Sequence, residues 1–345
     1  MKVMVLNGPN LPFALEQRSD PAAGPGEAVA RVITCGAGLT IQHAKAGRRK
    51  VKFPRIIGHE ITGEIVETGP GVRGLKVGDA VTTYFYLNCG HCRWCLQNLE
   101  PLCENSGGQV GLECDGAYAE YVKLPAQNFI KLPAGLNHEK HPAEIGVVSD
   151  ALATPYKVLR RASIKAGETV AVIGAGGGLG IHQLMMAKWA RARVIAVDTK
   201  PEKFDACRKA GADDVVDASV GRVAEQLLGL THGQGVDVVV DYVSATATLE
   251  AGAKALGRRG RLVTLGGGSA GKTFSLSAAD LLNREQSILG SRYVTRSEVL
   301  ESLELMARGE VFPLVTVLRP LEEAEAVHDL VERGDVIGRA VLQIA

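Results

Sequence analysis

No run of apolar residues in this sequence approaches the ~18 to 20 needed to cross a membrane. Its N-terminus, Met1-Lys2-Val3-Met4-Val5-Leu6, has no secretory leader pattern. Both absences set the expectation of a cytoplasmic protein with no membrane partner. An excess of one charge is missing as well: 39 Lys and Arg stand against 38 Asp and Glu, for a net charge of +1. Such a chain has no general attraction for nucleic acid or acidic membranes. The basic trio Arg48, Arg49 and Lys50 then reads as a solvated loop. There is no low-complexity segment, and no internal repeat beyond the two halves of a β–α alternation. Cysteines number seven, and in a cytoplasmic chain they are better explained as ligands or free thiols than as disulfides.

What is present suits a globular α/β protein: 46% hydrophobic residues and 41 glycines in 345 residues, a length that favours two domains over one core. The organising stretch is residues 169–198. Thr-Val-Ala-Val-Ile at 169–173 is a β-branched, apolar run expected to be a strand buried on both faces. Gly174-Ala175-Gly176-Gly177-Gly178-Leu179-Gly180 follows, then a helical pattern over 181–190 and a second strand over 193–197 that ends in Asp198. Strand, glycine turn, helix and acid-ended strand form the βαβ unit that holds a dinucleotide. The glycines let the pyrophosphate approach, the helix start supplies partial positive charge, and the acid accepts from ribose hydroxyls while repelling a 2′-phosphate. That pattern favours NAD over NADP. The turn is one residue longer than the tightest form and also reads as G-x-x-G-x-x-G through Gly174, Gly177 and Gly180. Further strands are expected at 213–217, 236–243, 261–265 and 287–291, and helices at 151–162, 201–210, 246–256 and 297–308. The glycines at 266–268 end one strand where ligands bind in open parallel sheets, so Gly266 is a cofactor-side candidate.

Residues 1–150 read differently, as an antiparallel, glycine-punctuated β region with a Gly58-His59-Glu60 turn and an alternating strand after it. Cys89, Cys92, Cys95 and Cys103 lie close enough in sequence for four thiolates to wrap a tetrahedral zinc ion, an iron–sulfur cluster being the competing reading. Cys114 and Cys207 have no such neighbours. Leu39, Phe53, Tyr84, Phe85 and Leu112 are candidates for an apolar substrate wall.

The four-cysteine lobe, the Gly-His-Glu turn, the Asp150-Ala-Leu-x-Thr154 segment and the glycine turn occur in the order seen in zinc-containing medium-chain alcohol dehydrogenases, and the resemblance covers essentially the whole chain. It implies a partly open, GroES-like β-barrel catalytic domain (1–150 and 292–345) interrupted by a doubly wound, parallel Rossmann domain (151–291) that binds NAD with help from Thr154. It also implies a structural zinc on the four cysteines and a catalytic zinc with His59 and Asp150 at its second and third ligand positions. Thr40 would touch the reacting oxygen and His43, three residues on, would relay the proton. The partners implied are a small alcohol, ketone or enone and further copies of the chain, as a homodimer or homotetramer.

One position departs from the family. Cys35-Gly36-Ala37-Gly38-Leu39-Thr40 places glycine where the first zinc ligand belongs. Zinc could bind through His59 and Asp150 with Glu60 as third ligand, Cys35 could move in, or the centre could hold no metal. The functional expectation is hydride transfer between NAD(H) and an alcohol or carbonyl at an altered metal site. The alternatives are a metal-independent NADH-dependent reductase of activated C=C bonds or ketones, and a non-catalytic NAD-binding protein.

Overall fold

The computed structural model of the chain describes residues 1–266 and 271–345. They form two compact units, Thr154–Tyr293 on the one hand and Met1–Ala153 with Val294–Ala345 on the other. Among the described residues no helix is long and apolar enough to cross a membrane.

The unit Thr154–Tyr293 is built on a parallel sheet whose strands lie in the order Asp214–Asp217, Arg193–Asp198, Thr169–Ile173, Val236–Asp241, Leu256–Thr264, Ser287–Gly290. Val170, Ala171, Val172 and the run from Val194 to Val197 are fully buried. The helices Gly180–Trp189, Phe204–Lys209, Val223–Leu230 and Thr246–Ala255 connect these strands, as crossovers between parallel strands require. Strand order reverses between Thr169–Ile173 and Val236–Asp241, so the crevice beyond the carboxyl ends of these two strands is where such a sheet takes a ligand.

Some elements differ from expectation. The helix Val223–Leu230 was not foreseen, although Val223, Leu227 and Leu230 carry its apolar spacing. The fifth strand opens at Leu256 rather than 261, across the Arg258-Arg259-Gly260 stretch between the expected helix and strand. Arg259 takes a left-handed φ of 58°, and the pairing with Val236–Asp241 shifts register there. The segment 201–210 starts as a short 3₁₀ turn, Pro201–Lys203, before the helix Phe204–Lys209. Gly267 and Gly268 lie outside the described residues.

In the other unit, strands Val315–Pro320, Arg339–Gln343, Glu27–Ala37, Glu60–Thr68, Ala80–Thr83 and Phe129–Lys131 lie side by side, with Tyr121–Pro125 also paired to Glu27–Ala37. A smaller sheet joins Phe13–Gln17, Lys2–Leu6 and Arg55–Ile56. The C-terminal strand closes on the N-terminal one in antiparallel register, Ala340 opposite Ala37 and Leu342 opposite Cys35. This pairing is why the chain's tail completes its first unit.

A buried hydrogen-bond chain locks helix Leu39–Lys45 to helix Ala324–Arg333. Gln42 donates through Nε2 to Glu332 (2.7 Å), which orients its Oε1 toward His328 Nδ1 (2.6 Å). His328 therefore donates from Nδ1 and accepts the Tyr118 hydroxyl at Nε2 (2.9 Å). Burial, reinforced by the charge of Lys45, pushes this ring from 6.5 down to about 3. The unfolded chain takes up a proton here below about pH 6.5 while the folded chain does not. The ring's contribution is therefore whole above that pH and declines toward pH 3. In urea unfolding, the stability gap between wild type and His328→Gln is expected to narrow by on the order of 3 kcal/mol from pH 7 to pH 4. A gap independent of pH would show that this ring is not held neutral.

Candidate active site

Three strand ends and one helical turn converge on a polar centre in the first unit. Antiparallel pairing sets Gly36 opposite Glu60 and Ala37 opposite Ala340, so the next residues out, Gly38 and Arg339, also face each other. Asp150 comes from the π-helical turn Val148–Leu152, a local widening common at functional sites. Glu60 is fully buried, and His59, Asp150 and Arg339 are nearly so.

Arg339 donates from Nε to Glu60 Oε2 (2.9 Å), from Nη2 to Glu60 Oε1, and from Nη2 to Asp150 Oδ2 (3.3 Å). His59 Nε2 lies 3.5 Å from Asp150 Oδ2 and 3.9 Å from Glu60 Oε1. Neither ring nitrogen of His59 has a hydrogen-bond partner among the described residues. The ring stacks at 4.2 Å between centroids on Phe85, and the His59 carbonyl accepts from the Thr83 hydroxyl. Burial pushes the Glu60 carboxyl up, against the pull of Arg339. Burial also works against the Arg339 charge, but the carboxylates of Glu60 and Asp150 more than offset it, and the guanidinium is held above its usual range.

His59, Glu60 and Asp150 bring ligand atoms within 4.8 Å of one another, which invites comparison with a catalytic zinc site. Such a site needs three protein donors and an open position. Gly38 offers none. Cys35 sits one residue before Gly36 and so on the opposite face of its strand; its sulfur packs toward Gly58. Both Glu60 oxygens and Asp150 Oδ2 are taken by Arg339. The His59 nitrogens, which have no hydrogen-bond partner among the described residues, then stand beside a fixed cation. The residues present do not fit a catalytic zinc.

Thr40 and His43 stand on the helix Leu39–Lys45, which begins directly after Gly38. Three residues apart, they share a helix face. Arg48 Nε donates to His43 Nδ1 (2.9 Å), so the proton of the neutral ring resides on Nε2. Glu332 grips Arg48 through both carboxylate oxygens, each at 2.6 Å.

The four lobe cysteines do fit a metal. Their sulfurs lie 3.5 to 3.9 Å apart in the four closest pairs, and sulfurs ~2.3 Å from one zinc at tetrahedral angles would be roughly 3.8 Å apart. Backbone N–H groups of Cys89 and Cys92 point at the sulfurs of Cys103 and Cys89 at 3.4 Å, as thiolates would require. Such a zinc would pin the lobe around residues 89–103.

In the second unit, Gly174 turns the chain out of Thr169–Ile173 with φ 78°. A Cβ on Gly180 would lie 2.1 Å from the Gly174 carbonyl oxygen, and one on Gly176 would meet the Lys203 side chain at 2.5 Å. At Gly177 the nearest atom would be 3.4 Å away, an ordinary contact. The positions that require glycine are therefore 174, 176 and 180. Gly178 accepts at its carbonyl from His182 Nδ1 (2.6 Å), and Leu179 caps the helix. Asp198 accepts from the backbone N–H of Gly176 (2.8 Å) and Lys200 (3.1 Å), which aims its carboxylate at the glycine turn. Gly266 packs on Ser244, whose hydroxyl accepts its N–H at 2.8 Å, at the carboxyl ends of two strands. Thr154 is buried at the start of this unit.

Two residues escaped the sequence reading. Arg339 opens the apolar strand Arg339–Gln343, and a charge at the head of a buried run was its signal. Asp241 ends Val236–Asp241 and accepts from Val243 N, Ser244 N and the Thr248 hydroxyl; an acid closing a parallel strand was the signal there.

Known proteins resemble this chain along essentially its whole length. Residues 24–134 match the alcohol dehydrogenase GroES-like domain family and residues 178–308 the zinc-binding dehydrogenase family. An alcohol dehydrogenase of Geobacillus stearothermophilus is 35% identical, the match covering all of both chains. An acryloyl-coenzyme A reductase of Metallosphaera sedula is 30% identical over 99% of each chain. The crystal structure of an alcohol dehydrogenase from Aeropyrum pernix is 32% identical, with a TM-score of 0.90 over 99% of this chain and 100% of its own.

Proposed function

Because this chain belongs to the zinc-containing medium-chain alcohol dehydrogenase family, we propose that it is an NAD(H)-dependent oxidoreductase acting on a small alcohol or ketone. The observation that carries this reading is the glycine turn at Gly174, Gly176 and Gly180 with Asp198 held against it. An acid fixed there accepts from ribose hydroxyls and disfavours a 2′-phosphate.

Gly174, Gly176, Gly180 and Asp198 would hold NADH, which when bound would supply a hydride for the substrate carbonyl carbon. The chain's own residues hold the oxygen, which gains the π electron pair, and deliver the proton that completes the alcohol; the oxidation runs in reverse. Thr40, next but one to Gly38, is the hydroxyl that meets that oxygen, and His43, one turn on, exchanges its Nε2 proton with solvent. Arg48, gripped by Glu332, fixes the tautomer that makes Nε2 the exchanging atom. Phe85 supplies an apolar wall, and the His59 ring stacked on it supplies nitrogens with no hydrogen bond among the described residues. One zinc on Cys89, Cys92, Cys95 and Cys103 is structural. The reading includes a cytoplasmic homodimer or homotetramer, which the family resemblance alone supports.

Asp198→Gly is expected to reduce the preference for NAD⁺ over NADP⁺ by about ten- to a hundredfold, the worth of one or two hydrogen bonds to a charged group. Calorimetric titration of both cofactors measures it. An unchanged ratio would remove Asp198 from the cofactor site, and no affinity for either cofactor would remove the oxidoreductase reading.

A further inference from the structure

We propose that the guanidinium of Arg339 replaces the catalytic metal in this chain, so that the centre at His59, Glu60 and Asp150 is organised by a fixed organic cation and the protein carries a single zinc, in its cysteine lobe. The inference rests on the first unit alone, not on the cofactor assignment.

The decisive observation is at Gly38. Its backbone, φ −117° and ψ 172°, is extended and open to any residue, so conformation does not demand glycine there. Space does. A Cβ would lie 2.4 Å from Arg339 Nη2, 2.6 Å from Cζ and 2.9 Å from Nη1. The far end of an arginine can usually swing aside, but this one is buried and held by two carboxylates at once. The neighbouring glycine follows the same logic, for a Cβ on Gly36 would lie 2.6 Å from Glu60 Oε2. Two glycines on one strand thus make room for one buried ion pair. With Arg339 in this place, position 38 has no room for a side chain.

The chemistry is consistent with this exchange. Two carboxylates that would face a metal face a guanidinium whose planar fork matches them. Both Nη1 and Nη2 of that fork lie against the Gly38 position. The buried His59 nitrogens lack a hydrogen bond among the described residues, Nε2 lying 3.5 Å from Asp150 Oδ2. A fixed N–H donor of a permanent cation beside an uncommitted imidazole suits an oxygen that gains negative charge, as a carbonyl does on reduction. A guanidinium offers hydrogen bonds, not an open coordination position, so it stabilises that charge without binding the oxygen covalently.

Zinc per chain, counted by elemental analysis on purified protein, tests the proposal without reference to activity or NADH. Wild type should hold one zinc, lost in Cys92→Ser. Gly38→Cys alone should stay at one. The double variant Gly38→Cys/Arg339→Met regains a thiolate and loses the cation, and should rise to two. Cobalt substitution of that variant should add a second set of visible bands. Two zinc ions in the wild type, or a rise to two in Gly38→Cys with Arg339 intact, would overturn the proposal. The wild-type count decides the matter even where a variant fails to fold.

Discussion

Arg339→Met is expected to destabilise the unit formed by Met1–Ala153 and Val294–Ala345 by about 3 to 5 kcal/mol near pH 8, the loss that follows when one partner of a buried pair is removed. Glu60 is fully buried, both its oxygens are bound to Arg339, and Asp150 adds a second negative charge close by. The sign of the pH dependence follows from Glu60. Its folded pKa already lies above the ordinary value because of burial, and it rises further without the guanidinium. The folded variant then keeps a proton that the unfolded chain releases above about pH 4.3. Its deficit should be small near pH 4 to 5 and grow as the pH rises. Glu60→Gln added to Arg339→Met should recover much of the loss, because it removes the stranded charge. Denaturant unfolding of the wild type and the two variants at pH 5 and pH 8 provides the measurement. A single variant that loses under 1 kcal/mol at both values would mean the pair contributes little.

Cys95→Ser is expected to strip the cysteine lobe of its zinc and expose residues 89–103 to protease. Zinc held by four thiolates contributes on the order of 10 kcal/mol or more in small domains. Here the surrounding unit has its own core, so the loss falls on the lobe, and the melting temperature should drop by several degrees rather than collapse. Cys95 is buried and its sulfur lies 3.5 Å from that of Cys92. Cys207, buried in the other unit away from any cluster, provides the control: Cys207→Ser should keep the zinc. Full zinc content and unchanged protease resistance in Cys95→Ser would refute a metal role for the lobe.

The parallel sheet was legible because its inner strands Thr169–Ile173, Arg193–Asp198 and Val236–Asp241 are short β-branched runs buried on both faces, each closed by glycine or an acid. The strand at Leu256–Thr264 was read short because its first part is irregular: Leu256 and Arg261 pair with Val236 and Val238, while Arg259 between them takes a left-handed φ of 58°. Helix Val223–Leu230 was overlooked although its apolar spacing is present. In the glycine turn, spacing left two registers open. The contacts that Cβ atoms would make at Gly176 and Gly180, and their lack at Gly177, single out the required positions.

The sequence by itself determined the two-part architecture, the glycine turn with its acid, the four clustered thiols, and the missing side chain at position 38. These are local facts, carried by residues within about thirty positions of one another. What filled the space at Gly38 could not be local. Arg339 lies some three hundred residues downstream and reaches that space only because the last strand pairs antiparallel with the strand Glu27–Ala37, a register set by burial of both. Only that long-range pairing turned an absent ligand into an occupied ionic centre.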